Sequence, residues 1–223
     1  MENSIVIWVL MTTSFMTYFI ISMVYKRLGI RNLECALLTS NGLRLLNLKH
    51  VVGIILFGVV FYAITPELRS LINTIEVPRI PVLLSFLTIF FLSGYVSHLS
   101  VGNNTFKKDH ISHYRFSKAW VYFLIRFTFL LCYEFFFRGI LLYKFLEIGS
   151  VYASILYCTV LYVLIHCFDS RKEILGAIPF GVVLCVFTFL TNSIWYAFFI
   201  HMALSAVYEI SMFYSLTLKK STL

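Results

Sequence analysis

Seven long apolar runs separated by short polar connections leave this chain almost no fold except a bundle of membrane-crossing helices. A crossing needs about 20 mostly apolar residues, and a backbone inside hydrocarbon must satisfy its own hydrogen bonds, which a helix does and an open sheet does not. The runs cover 5–25, 51–64 with its flanks, 81–99, 119–145, 151–168, 174–190 and 194–216. With 60% hydrophobic and 13% charged residues, a soluble globule would lack the polar surface to cover itself. The expected class is all-α: a polytopic membrane helical bundle of about seven transmembrane helices.

The first run reads as a retained helix and not a signal peptide, because Glu2 stands where a basic flank belongs and the run is longer than a signal core. The net charge of +8 sorts by connection and does not point to nucleic acid. Lys26, Arg27, Arg31, Arg44 and Lys49 fill the first connection, Lys107, Lys108, Arg115 and Lys118 the third, Arg171 and Lys172 the fifth, and Lys219 and Lys220 the tail. The opposite side carries Arg69, Arg79 and Lys144. The positive-inside rule then sets the amino terminus outside and the carboxyl terminus in the cytoplasm, which requires an odd number of crossings. Basic residues beside spans attract anionic headgroups, so membrane lipids are the expected partners of this charge. The chain divides into N-terminal helices and loops (1–118), a core of four spans (119–216) and a cytoplasmic tail (217–223), and the connections 26–50 and 100–118 are long enough for interfacial helices.

Polar residues inside the apolar runs locate the candidate site. Glu134 and Arg138 stand in Tyr133-Glu134-Phe135-Phe136-Phe137-Arg138-Gly139, where hydrocarbon is expected. Ionisable groups at that depth cost several kcal/mol and face protein or a wet cavity, which makes them site candidates. Four residues apart on a helix they share a face and can pair. His166 ends the fifth run, and His201 lies in the seventh with Ser205 and Glu209 at successive turns below it. His110 and His113 share a helical spacing in the third connection, but with only Asp109 beside them they read as solvated loop. Cys35, Cys132, Cys158, Cys167 and Cys185 show no paired spacing and read as apolar fillers.

One carboxylate and two imidazoles from three spans are the parts needed to activate water and to handle a leaving group. The same trio, Glu134, His166 and His201, could ligate zinc through two imidazoles and a carboxylate with one position open to water. The residues alone leave both mechanisms open.

The order and spacing resemble the CAAX-protease and bacteriocin-processing family of intramembrane proteases, also called the Abi family. Its signature is E-E-x-x-x-R on one span, F-x-x-x-H on the next and H-x-x-x-N on a later one. Glu134 and Arg138 match the second Glu and the Arg. Tyr162 to His166 is similar to the second motif, and Thr191-Asn192-Ser193-Ile194-Trp195 looks like the turn and Trp ahead of the third, which begins at His201. The resemblance covers roughly 119–210. It implies a hydrolase cutting a peptide bond near the membrane: a prenylated tail, a bacteriocin leader or another membrane peptide. It also implies residence in a plasma membrane, bacterial for a short single-domain member.

Two departures bear on the chemistry. Tyr133 stands where the family's first Glu belongs, and Ser205 where its final Asn belongs. The resemblance implies that the first Glu and the first His activate water while the last His and the Asn hold the oxyanion. A phenol with a pKa of about 10 cannot replace a carboxylate base. On this reading Glu134 with His166 polarises the water, Arg138 orients Glu134, and His201 with Ser205 stabilises the oxyanion. The rival is a non-catalytic relative that acts as a membrane binding or bacteriocin-immunity protein. A transporter is disfavoured by the lack of an inverted repeat.

Overall fold

The computed structural model describes residues 2–102 and 119–217. These residues form eleven α-helical elements joined by short turns, with no strand among them. They are α1 (Glu2–Arg27), α2 (Leu33–Leu38), α3 (Gly42–Gly53), α4 (Val60–Ile64), α5 (Ser70–Asn73), α6 (Ile80–Gly102), α7 (Ala119–Glu134), α8 (Leu142–Leu146), α9 (Val151–Ile165), α10 (Arg171–Thr191) and α11 (Ile194–Thr217). A π-helical turn, Ile54–Val59, joins α3 to α4, and a second, Phe135–Leu141, joins α7 to α8. Seven continuous helices are long and apolar enough to cross a membrane: Ile5–Arg27, Gly42–Ile64, Ile80–Ser100, Ala119–Leu146, Val151–Phe168, Arg171–Thr191 and Ile194–Ser215.

The second crossing is longer than its apolar run because it recruits residues 42–50, Lys49 and His50 included. His50 is buried with its ring stacked on Phe129 at 4.9 Å, and the Lys49 ammonium lies 5.5 Å from the Tyr18 ring centroid. Aromatic faces thus host two polar side chains that hydropathy alone would exclude. Part of the connection expected to hold an interfacial helix is α2, capped by the Asn32 side chain, which accepts from the Cys35 N–H. The expected interfacial helix at 100–118, the basic residues Lys107, Lys108, Arg115 and Lys118, the pair His110 and His113, and the tail lysines Lys219 and Lys220 fall outside the described residues.

Polar side chains set the helix ends at short turns. Ser150 accepts from the Ala153 N–H to start α9, and Ser170 with Glu173 forms a reciprocal capping box at the start of α10. Asn192 ends α10 in the left-handed region at φ 46°, and its Oδ1 accepts from Tyr143 O–H at 2.9 Å. Trp195 Nε1–H donates to Ile72 carbonyl at 2.7 Å and Tyr196 O–H to Glu76 carbonyl at 2.6 Å, fastening the 66–79 connection onto the start of α11.

Lipid tails are as apolar as the side chains they replace, so packing and a few hydrogen bonds hold membrane helices together. Where α3 and its π turn meet α7, a Cβ at Gly53 would collide with the Phe129 ring and one at Gly58 with Cys132 Sγ, so only glycine permits the approach. The two π turns face each other through Phe57 and Phe136, stacked at 4.4 Å. The wider π turn displaces carbonyls from the α-helical ladder, and Cys158 Sγ lies 3.0 Å from the Phe137 carbonyl as a donor to it. On the other side α6 packs on α11 through the small residues Ser93, Gly94 and Ser97, and Ser97 Oγ–H donates to Leu204 carbonyl at 2.6 Å.

Candidate active site

Glu134 is the last residue of α7 before the helix widens, and Arg138 lies one turn on, inside the π turn. Both side chains are wholly enclosed. Glu134 Oε2 lies 3.3 Å from Arg138 Nε, the expected pairing across one turn. The guanidinium also lies over the Tyr162 face, with its carbon 4.1 Å from the ring centroid. This cation–π contact supplies part of what the enclosed cation loses in leaving water. The two terminal nitrogens of Arg138, like Glu134 Oε2, have no hydrogen-bond partner among the described residues.

The other Glu134 oxygen is engaged across the bundle: Oε1 lies 2.5 Å from His201 Nδ1 on α11. A carboxylate here accepts, so Nδ1 carries the proton and Nε2 is the nitrogen left for chemistry. The imidazole packs against Phe180 at 5.3 Å, Tyr133 at 6.2 Å and Tyr162 at 6.4 Å between ring centroids.

His166 is built in the same way from a different part of the chain. The α-helix ends at Ile165, and a single 3-10 turn, His166–Phe168, brings Asp169 back so that its Oδ2 lies 2.8 Å from His166 Nδ1. The His166 ring lies edge-on to Tyr162 at 4.7 Å, and its Nε2 is buried without a partner among the described residues. The two imidazoles thus both pack on one phenol ring. Each has a carboxylate on Nδ1, an arrangement that fixes tautomer and orientation.

Of the residues singled out from sequence, Glu134, Arg138, His166 and His201 all gather around Tyr162. Ser205 follows one turn below His201, half-buried and without a hydrogen bond among the described residues. Glu209, the third member of that stripe, belongs elsewhere: its carboxylate accepts from Tyr122 O–H and Arg126 Nε–H, both at 2.9 Å. Tyr133 is enclosed at 4% exposure, with its O–H unpartnered.

The sequence reading passed over Asp169. An aspartate in a polar turn is unremarkable, and its one signal is a spacing of three residues after a candidate His. The Arg126–Glu209 pair was also missed, since nothing in the sequence links residues 83 apart.

The zinc arrangement considered for Glu134, His166 and His201 does not fit this geometry. Among the described residues no three His, Cys, Asp or Glu side chains group as metal ligands. Glu134 Oε1 is taken up by His201 Nδ1, so this carboxylate and this imidazole face each other and not a common ion. Glu134 Oε1 faces His201 Nδ1, and Oε2 lies beside Arg138 Nε without a hydrogen bond among the described residues.

No curated protein and no solved structure matches the chain significantly. A family model does match: residues 115–207 fit the one described as Type II CAAX prenyl endopeptidase Rce1-like. That stretch contains Glu134, Arg138, His166, Asp169, His201 and Ser205, so the candidate site lies within the segment that is similar to the CAAX-protease family.

Proposed function

We propose that the chain is an intramembrane endopeptidase that hydrolyses a peptide bond through water activated by histidine. The supporting observation is the pair of carboxylate-held imidazoles, Asp169–His166 and Glu134–His201, both against the Tyr162 ring. Neutral His166, with its Nδ1–H on Asp169, takes a proton from water at Nε2 as the water oxygen attacks the scissile carbonyl. His201, with its Nδ1–H on Glu134, stabilises the oxyanion together with Ser205 Oγ–H, which donates to it. Collapse of the tetrahedral intermediate breaks the C–N bond, and His166 returns its proton to the leaving amine.

The substrate is a membrane-associated peptide or protein, and the family name directs the first trial to a prenylated CAAX tail. Bacteriocin leaders are the next class to try. The protein resides in the membrane with its carboxyl terminus in the cytoplasm, on the side where the His166 turn and the basic connections lie, and lipid headgroups neutralise those connections.

The test is turnover of a quenched, farnesylated CAAX peptide by purified protein in liposomes. His166→Ala and His201→Ala should each lower kcat by about 10²-fold to 10⁴-fold, the usual worth of a positioned acid or base. Cleavage that survives both substitutions contradicts the mechanism.

One observation favours a second reading. Tyr133 fills the place of the motif's first carboxylate and is packed on all sides, as in a relative that keeps the fold and holds a membrane peptide without cutting it. Such a protein would cleave nothing and would bind its peptide equally well after either His substitution.

A further inference from the structure

Tyr133 is the one residue of the motif whose chemistry has changed sign, from an acceptor to a donor. Its ring is packed against Phe137 at 4.6 Å, Phe129 at 5.6 Å and Tyr162 at 5.9 Å between centroids, and edge-on to His201 at 6.2 Å. Packing alone gives no reason for the oxygen. The next three residues are Phe135, Phe136 and Phe137 after Glu134, and a phenylalanine at 133 would fill the same space without burying a hydroxyl. Yet the O–H is there, enclosed and with no hydrogen-bond partner among the described residues. Buried phenols normally find an acceptor, and an unpaired one calls for a specific explanation.

The missing acceptor has a natural identity at this place. The phenol stands beside the imidazole that faces the oxyanion in the mechanism above, and at neutral pH a group with a pKa of about 10 keeps its proton. A carboxylate at position 133 would repel a developing oxyanion, whereas a phenol attracts it. We propose that Tyr133 is a catalytic hydrogen-bond donor whose O–H binds the oxyanion formed when water adds to the scissile carbonyl. The proposal rests on the hydrolase reading of the same site. Loss of the carboxylate base and gain of a donor then form one exchange: His166 takes the proton from water, and Tyr133 joins His201 and Ser205 around the oxygen. Tyr133 keeps its own proton throughout, so the proton balance through His166 is unchanged.

Tyr133→Phe removes a single oxygen and retains the ring that the packing uses. In liposomes, with the quenched farnesylated CAAX peptide as substrate, its kcat should fall about 10²-fold to 10³-fold, the cost of losing one oxyanion donor, while KM and the thermal midpoint stay unchanged. A phosphinate peptide, which mimics the tetrahedral intermediate, should bind the variant more weakly by a comparable factor. A variant that turns over at the wild-type rate, or that loses only in KM, overturns the proposal and leaves the hydrolase reading standing. Wild-type protein that cleaves nothing refutes the hydrolase reading, and the proposal with it.

Discussion

Helices α7 and α11 run antiparallel and are joined twice by a carboxylate and a base, and the two junctions are built to opposite standards. At one, Glu209 of α11 accepts from Tyr122 and Arg126 of α7, so both carboxylate oxygens are occupied at 2.9 Å. At the other, Glu134 of α7 meets His201 of α11, fully enclosed, yet it is surrounded by polar atoms left unpaired among the described residues: Glu134 Oε2, the terminal nitrogens of Arg138, Tyr133 O–H and His166 Nε2. A satisfied polar cluster in low dielectric stiffens a fold, and an unsatisfied one is a cost that packing alone does not justify. The first junction is a clamp, and the second is the place to which the proposed hydrolysis assigns the substrate.

Stability gives the largest effect by which to test that contrast. Glu134→Ala leaves Arg138 as an enclosed charge without its counter-ion and should cost about 3–5 kcal/mol, read as a loss of thermal or denaturant stability in detergent. Glu209→Ala leaves Arg126, whose side chain keeps 16% exposure, and should cost less, about 1–3 kcal/mol from lost hydrogen bonds to a charged group. Equal losses at the two positions would break the distinction between clamp and site.

Function gives the converse. Glu209→Gln should keep at least half of the wild-type turnover of the farnesylated peptide, since its carboxylate touches neither imidazole. Asp169→Asn should lower kcat on the order of 10²-fold with little change in stability. An amide no longer fixes the His166 tautomer, but Asp169 is half-exposed and loses less than an enclosed triad carboxylate would. If Asp169→Asn turns over normally while His166→Ala does not, His166 works without its orienting partner. The smallest effect is expected at Tyr122→Phe. Removal of one of the two donors to Glu209 should cost about 1 kcal/mol of stability and nothing in rate.

Seven crossings were legible because hydrocarbon demands long apolar helices, and that demand overrides local detail. Glu134, Arg138 and His201 were legible for the same reason, since charge or imidazole in such a helix stands out. The π turn at 135–141 left no trace, because Phe135-Phe136-Phe137 is as apolar in a wide helix as in a regular one. The division of labour on α11 was hidden as well. His201, Ser205 and Glu209 read as one stripe, and only the packing of α7 sends Glu209 to Arg126 and His201 to Glu134. The contact of Glu134 Oε1 with His201 across the bundle is another feature that no spacing in a single sequence reveals.

The central claim is that the two carboxylate-held histidines activate water. Its most direct measurement is the turnover of the quenched farnesylated CAAX peptide by wild-type and His166→Ala protein, side by side in the same liposomes. Turnover by the wild type that falls at least 10²-fold in the variant is the predicted result. Equal turnover by the two proteins, or none by the wild type, would contradict it.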